Sequence, residues 1–104
     1  MSKKKVFISQ PMNGLTKEEI LKTRQEAIDG LYEYGYEPDE IEIIDSVFDI
    51  DDDFKNPLFY LGKSLELMSE ADLIVFTQGW YDTRGCRIEY ECAKRYGFSY
   101  ICAD

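Results

Sequence analysis

The run Ala71-Asp72-Leu73-Ile74-Val75-Phe76, followed by Thr77-Gln78-Gly79-Trp80-Tyr81-Asp82-Thr83-Arg84-Gly85-Cys86-Arg87-Ile88-Glu89, decides the fold. Leu73 to Phe76 is the most apolar strand-like stretch of the chain. An unbroken apolar strand belongs in the middle of a parallel sheet covered on both faces. Behind it, the loop Gly79 to Gly85 opens a helical pattern over Cys86 to Tyr96, which Gly97 stops. A loop that leaves a buried parallel strand and enters a helix is where open α/β sheets bind ligands.

One residue of that helix breaks its pattern. On a wheel of about 100° per residue, Ile88, Cys92, Ala93 and Tyr96 share an apolar arc, and Glu89 falls inside it. Arg87, Glu91, Lys94 and Arg95 take the solvated side. An inward carboxylate is unfavourable unless something there pairs with it or uses it. Two readings stay open: Glu89 bonds loop N–H groups or pairs with Arg84, or it is a catalytic carboxylate in a cleft.

Upstream, Val6-Phe7-Ile8 reads as a buried first strand, ended by Ser9-Gln10-Pro11-Met12-Asn13-Gly14, with Pro11 and Gly14 marking a turn. Thr16 to Glu19 fits a capping box that opens a helix running to about Tyr34, and Gly35 stops it. Ile20, Leu21, Ala27, Ile28 and Leu31 share its inward face, and so does Arg24. Either the Arg24 stem lies on apolar surface while its head reaches water, or the guanidinium meets a buried carboxylate or a ligand phosphate.

Ile41 to Asp45 reads as the second strand. The acidic stretch after it, Ser46 to Phe54, lacks the spacing of a calcium-binding EF-hand loop and is expected to be a solvated loop. Asn56-Pro57 is a helix start with Asn as N-cap and Pro at the first helical position. Leu58, Leu61, Leu65 and Met68 form the expected inward stripe of this second helix. Tyr60 and Leu67 fall on its far side, as isolated exposed apolars or as a partner surface. Phe98 to Cys102 reads as a fourth strand.

Strands alternating with helices predict one three-layer α/β/α domain over residues 1–104, Rossmann-like, with right-handed crossovers and a four-stranded parallel sheet of order 2-1-3-4. The order reverses between the first and third strands. The loops Ser9 to Gly14 and Thr77 to Gly85 are expected to meet there, beside Glu89.

Composition narrows the function. The chain of 104 residues carries a formal net charge of −9, which argues against a nucleic-acid or anionic-membrane surface. It has no His, which removes Ser-His-Asp and Cys-His catalysis and the commonest zinc ligand. Cys86, Cys92 and Cys102 form no metal-binding spacing and read as reduced thiols of a cytoplasmic protein. No run resembles a signal peptide or approaches membrane-spanning length.

The strand and turn Val6 to Gly14, the strand Ala71 to Phe76, and Gly85-Cys86-Arg87-Ile88-Glu89 with Ala93 beyond it resemble the nucleoside 2-deoxyribosyltransferase-like superfamily. Within it, the chain is similar to a group of small bacterial and phage proteins whose function is not established. In the enzymes, the Glu of a Gly-x-x-x-Glu run is the nucleophile, so the resemblance implies that role for Glu89. It also implies an acid for the departing base, with Asp82 as the nearer candidate and the strand-opening Asp72 as the second. The enzymes place an Asp directly before the motif's Gly, whereas this chain has Asp82-Thr83-Arg84-Gly85.

The implied chemistry is attack of a carboxylate on the anomeric carbon of a nucleoside, followed by resolution of the glycosyl ester. The residues expected to bind substrate are Ser9, Met12, Asn13, Gly14, Arg24, Gly79, Trp80, Arg84 and Gly85. Trp80 and Tyr81 are positioned to stack on the base, and Phe7 or Met12 to line the pocket. N–H groups from Met12 to Gly14 are positioned to hold a 5′-hydroxyl or phosphate. No metal or organic cofactor is implied. Three functions compete: a nucleoside or nucleotide N-glycosidase or 2-deoxyribosyltransferase, a non-enzymatic nucleotide-binding module of the same fold, and an accessory protein acting through assembly. The superfamily implies a homodimer or higher homo-oligomer, and the Tyr60 and Leu67 face suggests where two copies would meet.

Overall fold

Six residues, Lys4–Ser9, form the first strand, β1, and the last four are buried. Their alternation feeds two cores, because successive side chains of a strand point to opposite faces. The chain is described from a computed structural model over residues 3–12, 14–46 and 56–103. Asn13 and the acidic stretch Val47 to Phe54 lie outside the described residues.

The elements follow in the order β1, α1 (Lys17–Tyr34), β2 (Ile41–Ile43), α2 (Pro57–Met68), β3 (Leu73–Phe76), a short 3₁₀ turn (Trp80–Asp82), α3 (Arg84–Arg95) and β4 (Tyr100–Cys102). The strands make one sheet in the order β2-β1-β3-β4, and every pairing is parallel. Val6 pairs with Leu73 and Ser9 with Phe76, so β1 and β3 lie side by side over four residues.

On one face, Val6, Ile8, Ile41, Leu73 and Val75 pack against Leu31 of α1. On the other, Phe7, Ile74 and Phe76 pack against Met68 of α2 and Ala93 of α3. The result is a three-layer α/β/α arrangement. No helix among the described residues is long and apolar enough to cross a membrane.

Local signals set the helix ends. Thr16 Oγ1 accepts from the N–H of Glu19, and the Glu19 carboxylate accepts from the N–H of Thr16, which closes the capping box. Asn56 caps α2 by accepting from Phe59 N–H at 3.0 Å. Gly35 takes φ 131° after α1, a backbone angle that favours glycine.

Several sequence expectations change in the structure. β2 ends at Ile43 rather than Asp45, and β4 begins at Tyr100 rather than Phe98. Helix α3 begins at Arg84, two residues before the expected Cys86, and Arg95 is its last residue. Leu21 faces outward, because α1 seats on Ile20 and Leu31 and Leu21 lies past the edge of that contact. In α2, Leu58 is 72% exposed, and Leu67 packs against the second core. This helix seats by its C-terminal half, while its first turn overhangs the edge of the sheet. Tyr60 and Leu67, both half-buried, share a shallow surface groove with Phe59. In α3, Tyr96 is 80% exposed because it caps the helix where the chain turns away, and Ile88 lies on a rim rather than in the core.

The seating of α2 has a measurable consequence. Met68→Ala should destabilise the chain by roughly 2–5 kcal/mol, as other buried truncations do. Leu58→Ala should change stability by about 0.5 kcal/mol or less. Urea unfolding of both variants checks this, and equal losses would contradict the seating.

Candidate functional site

Five polar or charged residues are buried among the described residues: Ser9, Gln10, Ser46, Thr77 and Glu89. Ser9 closes β1, Thr77 follows β3, Ser46 follows β2, and Glu89 lies in the second turn of α3. All five therefore gather at the C-terminal edge of the sheet, where the strand order reverses. Burial of polar groups is unfavourable, so its concentration at one edge marks a place with its own requirements.

Ser9 and Glu89 are joined there. The Ser9 hydroxyl donates to Glu89 Oε1 at 2.6 Å, and the bond is buried. Ser9 has the same parity along β1 as Phe7, which faces the α2 and α3 side. The pleat thus aims its hydroxyl at α3. Glu89 is 6% exposed, and burial pushes its carboxyl from the ordinary 4.5 up to about 7, while the Ser9 hydroxyl pulls it down. No ion pair joins Glu89 to Arg84 or Arg24 among the described residues. The ion pair among those residues is Arg95 with Glu91, on the solvated face of α3. Of the two opposing causes that bear on Glu89, desolvation wins.

The second oxygen of Glu89 has no hydrogen bond from a described residue, yet it is not among the buried polar atoms lacking a partner. It therefore opens into a cleft whose floor is the end of β1, from Phe7 to Gln10. Met12 and Gly14 form one wall, and Thr83 to Cys86 with Glu89 form the other. Ser46 and the first two turns of α2 close the third side. The two loops meet as expected: a Cβ built on Gly79 would come 3.8 Å from the Pro11 ring, and Thr77 N–H donates to Ser9 O at 3.0 Å. Gly79 takes φ 84°, which lets the chain reverse there.

Ser9, Met12, Gly14, Arg84 and Gly85 line the cleft with Glu89. Phe7 does too. Among the described lining residues, Glu89 is the only carboxylate and Arg84 the only cation. Other expected site residues stand elsewhere. Asp72 lies at the opposite edge of the sheet, where its carboxylate accepts from Lys5 N–H at 2.8 Å. Asp82 is exposed on the 3₁₀ turn and does not line the cleft. Trp80 is turned into the second core, 4.6 Å from the Tyr90 ring and 5.4 Å from Phe76, and its indole N–H donates to Ala103 O. Tyr81 stands edge-on to Trp80 and is exposed. Gly79 shapes the loop but does not line the cleft.

Within the chain, the Arg24 guanidinium meets neither water alone nor a buried carboxylate, but the segment that follows β2. Its Nη2 donates to Ile44 O at 2.6 Å and its Nη1 to Ser46 Oγ at 3.2 Å. Burial lowers its pKa, and the Asp45 charge raises it in part.

Gln10, Ser46 and Cys86 are among the cleft residues that escaped the sequence reading. Gln10 looked like part of a turn, yet it is 5% exposed, its Nε2 donates to Ile20 O at 2.8 Å, and its Oε1 has no partner among the described residues. Ser46 looked like the start of a loop. Cys86 has the sequence character of a reduced thiol only, yet it lines the cleft with Glu89. Burial, chiefly, pushes the Cys86 thiol up to about 12; the Ser9 hydroxyl lowers it and the Glu89 charge raises it. At neutral pH it is held as the thiol. For Gln10 and Ser46 the available signal was their place directly after a strand, at the edge that binds ligands.

Fold and site together define a parallel α/β domain with an acidic cleft residue at the switch point of its sheet. Residues 4–101 match the family model described as Domain of unknown function (DUF4406), and the chain belongs to that family. No curated protein matches the chain, and no solved structure does.

The raised Glu89 carboxyl links stability to pH. Between 4.5 and about 7 the folded chain holds a proton that the unfolded chain has released. This contribution is fully present below about pH 4.5 and is lost as pH rises through about 7, on the order of 3 kcal/mol in all. Wild-type protein should therefore lose more stability than Glu89→Gln between about pH 5 and about pH 8. Parallel pH profiles in urea would refute the shift. In Ser9→Ala the Glu89 carboxyl, followed by carbon NMR, should titrate higher still, because the bond that favours its charged form is gone.

Proposed function

We propose that the chain is a nucleoside or nucleotide N-glycosidase or 2-deoxyribosyltransferase with Glu89 as its nucleophile. The observation that carries this reading is a buried carboxylate with one oxygen held by Ser9 and the other open to a cleft at the switch point of the sheet. The cleft volume, about 1140 Å³, is somewhat above the roughly 300–1,000 Å³ usual for small-molecule sites and admits a nucleoside. Its apolar walls, Phe7, Met12 and Leu61 among them, suit a base.

The open oxygen of ionised Glu89 attacks the anomeric carbon. The carbon–nitrogen bond to the base breaks, and its electron pair leaves on the base nitrogen, which takes a proton. The resulting glycosyl ester is opened by water, or by the nitrogen of a second base, which returns Glu89 as a carboxylate. The Ser9 hydroxyl stabilises the carboxylate on departure and fixes which oxygen attacks. Ionisation near pH 7 leaves a substantial share of Glu89 in the attacking form at neutral pH.

The second reading, a nucleotide-binding module without turnover, is favoured by one observation. Asp82 and Asp72, the two candidate acids for the leaving base, both stand outside the cleft. In the enzymatic reading the base must then draw its proton from water or from another cleft group.

Incubation with a panel of 2-deoxynucleosides and their monophosphates, with free base followed by chromatography, decides between the two. Base release should rise as pH passes through about 7, with ionisation of Glu89. Glu89→Gln should lower it by about a thousand-fold or more, while Glu91→Ala, altered on the solvated face, should leave it intact. Turnover that survives Glu89→Gln would remove the nucleophile. Thermal shifts without base release would support the binding module.

A further inference from the structure

The cleft has a rim as well as a floor, and the rim is apolar. Leu15, Leu58 and Ile88 line it, and they are 37%, 72% and 38% exposed. Among the described residues the exposed leucines and isoleucines are these three and Leu21, and Leu21 alone stands away from the cleft. The three come from separate elements: the turn after β1, the first turn of α2, and α3. Single exposed apolars are ordinary on a protein surface. Aliphatic side chains from three elements gathered round one cavity form a patch, and such patches mark binding sites.

Each wall runs from covered to exposed toward the rim. Met12 is half-buried, and Leu15, whose N–H donates to Met12 O at 3.2 Å, is exposed. On α2, Leu61 is half-buried, and Leu58, three residues before it on the same face, is exposed. On α3, Glu89 is buried and its neighbour Ile88 is exposed. The apolar wall that suits a base, Met12 with Leu61, thus continues outward into Leu15 and Leu58. Charge points the same way. The chain carries a net charge of −9, yet no carboxylate except Glu89 lines the cleft among the described residues. The volume of about 1140 Å³ exceeds the roughly 1,000 Å³ that bounds most sites for drug-sized ligands, and a bare nucleoside is smaller than most of those.

From these observations we infer that the substrate is a nucleoside whose base carries an apolar substituent, an alkyl or aryl group on an exocyclic nitrogen, and that Leu15, Leu58 and Ile88 hold that substituent. The inference rests on the glycosidase or transferase reading for the nucleoside itself. The sugar lies deep, where Glu89 meets the anomeric carbon, and the base lies along Met12 and Leu61. A group on the outer edge of the base then reaches the rim. Its binding removes apolar surface of both ligand and rim from water, which is favourable.

The test is calorimetric binding to Glu89→Gln protein, which holds ligand without turnover. The probes are 2′-deoxyadenosine, its N6-benzyl derivative and its 5′-O-benzyl derivative. The N6-benzyl probe should bind roughly ten-fold more tightly than deoxyadenosine. Leu58→Asn and Ile88→Asn, both at exposed positions, should each cut that ratio to about three-fold or less. Equal affinity for deoxyadenosine and its N6-benzyl derivative overturns the inference. So does a ratio that survives both substitutions, or a gain confined to the 5′-O-benzyl probe. A dimer in light scattering that Leu58→Asn splits, with no gain from the benzyl group, gives the rim to a second copy and overturns it as well. Base release from deoxyadenosine by the unaltered chain, together with any of those results, overturns the role of the rim alone. A ratio that depends on the rim, without base release from either nucleoside by the unaltered chain, overturns the enzymatic reading alone. No binding of any probe overturns both.

Discussion

The pairing of β1 with β3 is the constraint from which the site follows. It joins segments 67 residues apart, and each end of it is fixed by a separate bond. At one end the Asp72 carboxylate accepts from Lys5 N–H, and at the other Thr77 N–H donates to Ser9 O. A slip of one residue would turn every β1 side chain to the opposite face. Ser9 would then look toward α1, and Glu89 would be buried without its hydrogen bond. The strand-opening aspartate, far from the chemistry, is in this sense a guardian of it.

Much of the architecture is legible along the chain because its signals are local. The capping box at Thr16, the Asn56-Pro57 start and the apolar block Leu73 to Phe76 each declare an element within a few residues, and each stands where it was expected. Glu89 was legible for a different reason, as a violation of its own helix's pattern. What escaped was rotation and reach. A wheel weights all residues of a helix equally, but α2 rests on the sheet by one half, so Leu58 hangs over the cleft while Leu67 is covered. Nearness in sequence also misled: a single 3₁₀ turn between Gly79 and Thr83 carries Trp80 into the core and leaves Asp82 in solvent. The partners of Arg24 lie 20 and 22 residues away, and no periodicity within α1 reveals them.

The departures from good packing are as informative as the packing. Glu89 is buried at a desolvation cost, and Gln10 Oε1 and Thr77 Oγ1 are buried without partners among the described residues. All three sit at the same edge of a sheet whose other end is conventionally capped. Proteins tolerate such local conflicts where function requires them and compensate elsewhere. Here the compensation is the pair of apolar layers on either side of β1 and β3, which hold that edge in place whatever its polar groups demand.

The inward turn of Trp80 carries an optical consequence. It is the one tryptophan of the sequence, and its ring is fixed between Phe76 and Tyr90 with its N–H on Ala103 O. Intrinsic fluorescence therefore watches the docking of β4 and the segment after it against α3, on the far side of β3 from the acid. Undocking of the last strand would remove the Ala103 acceptor and change its emission.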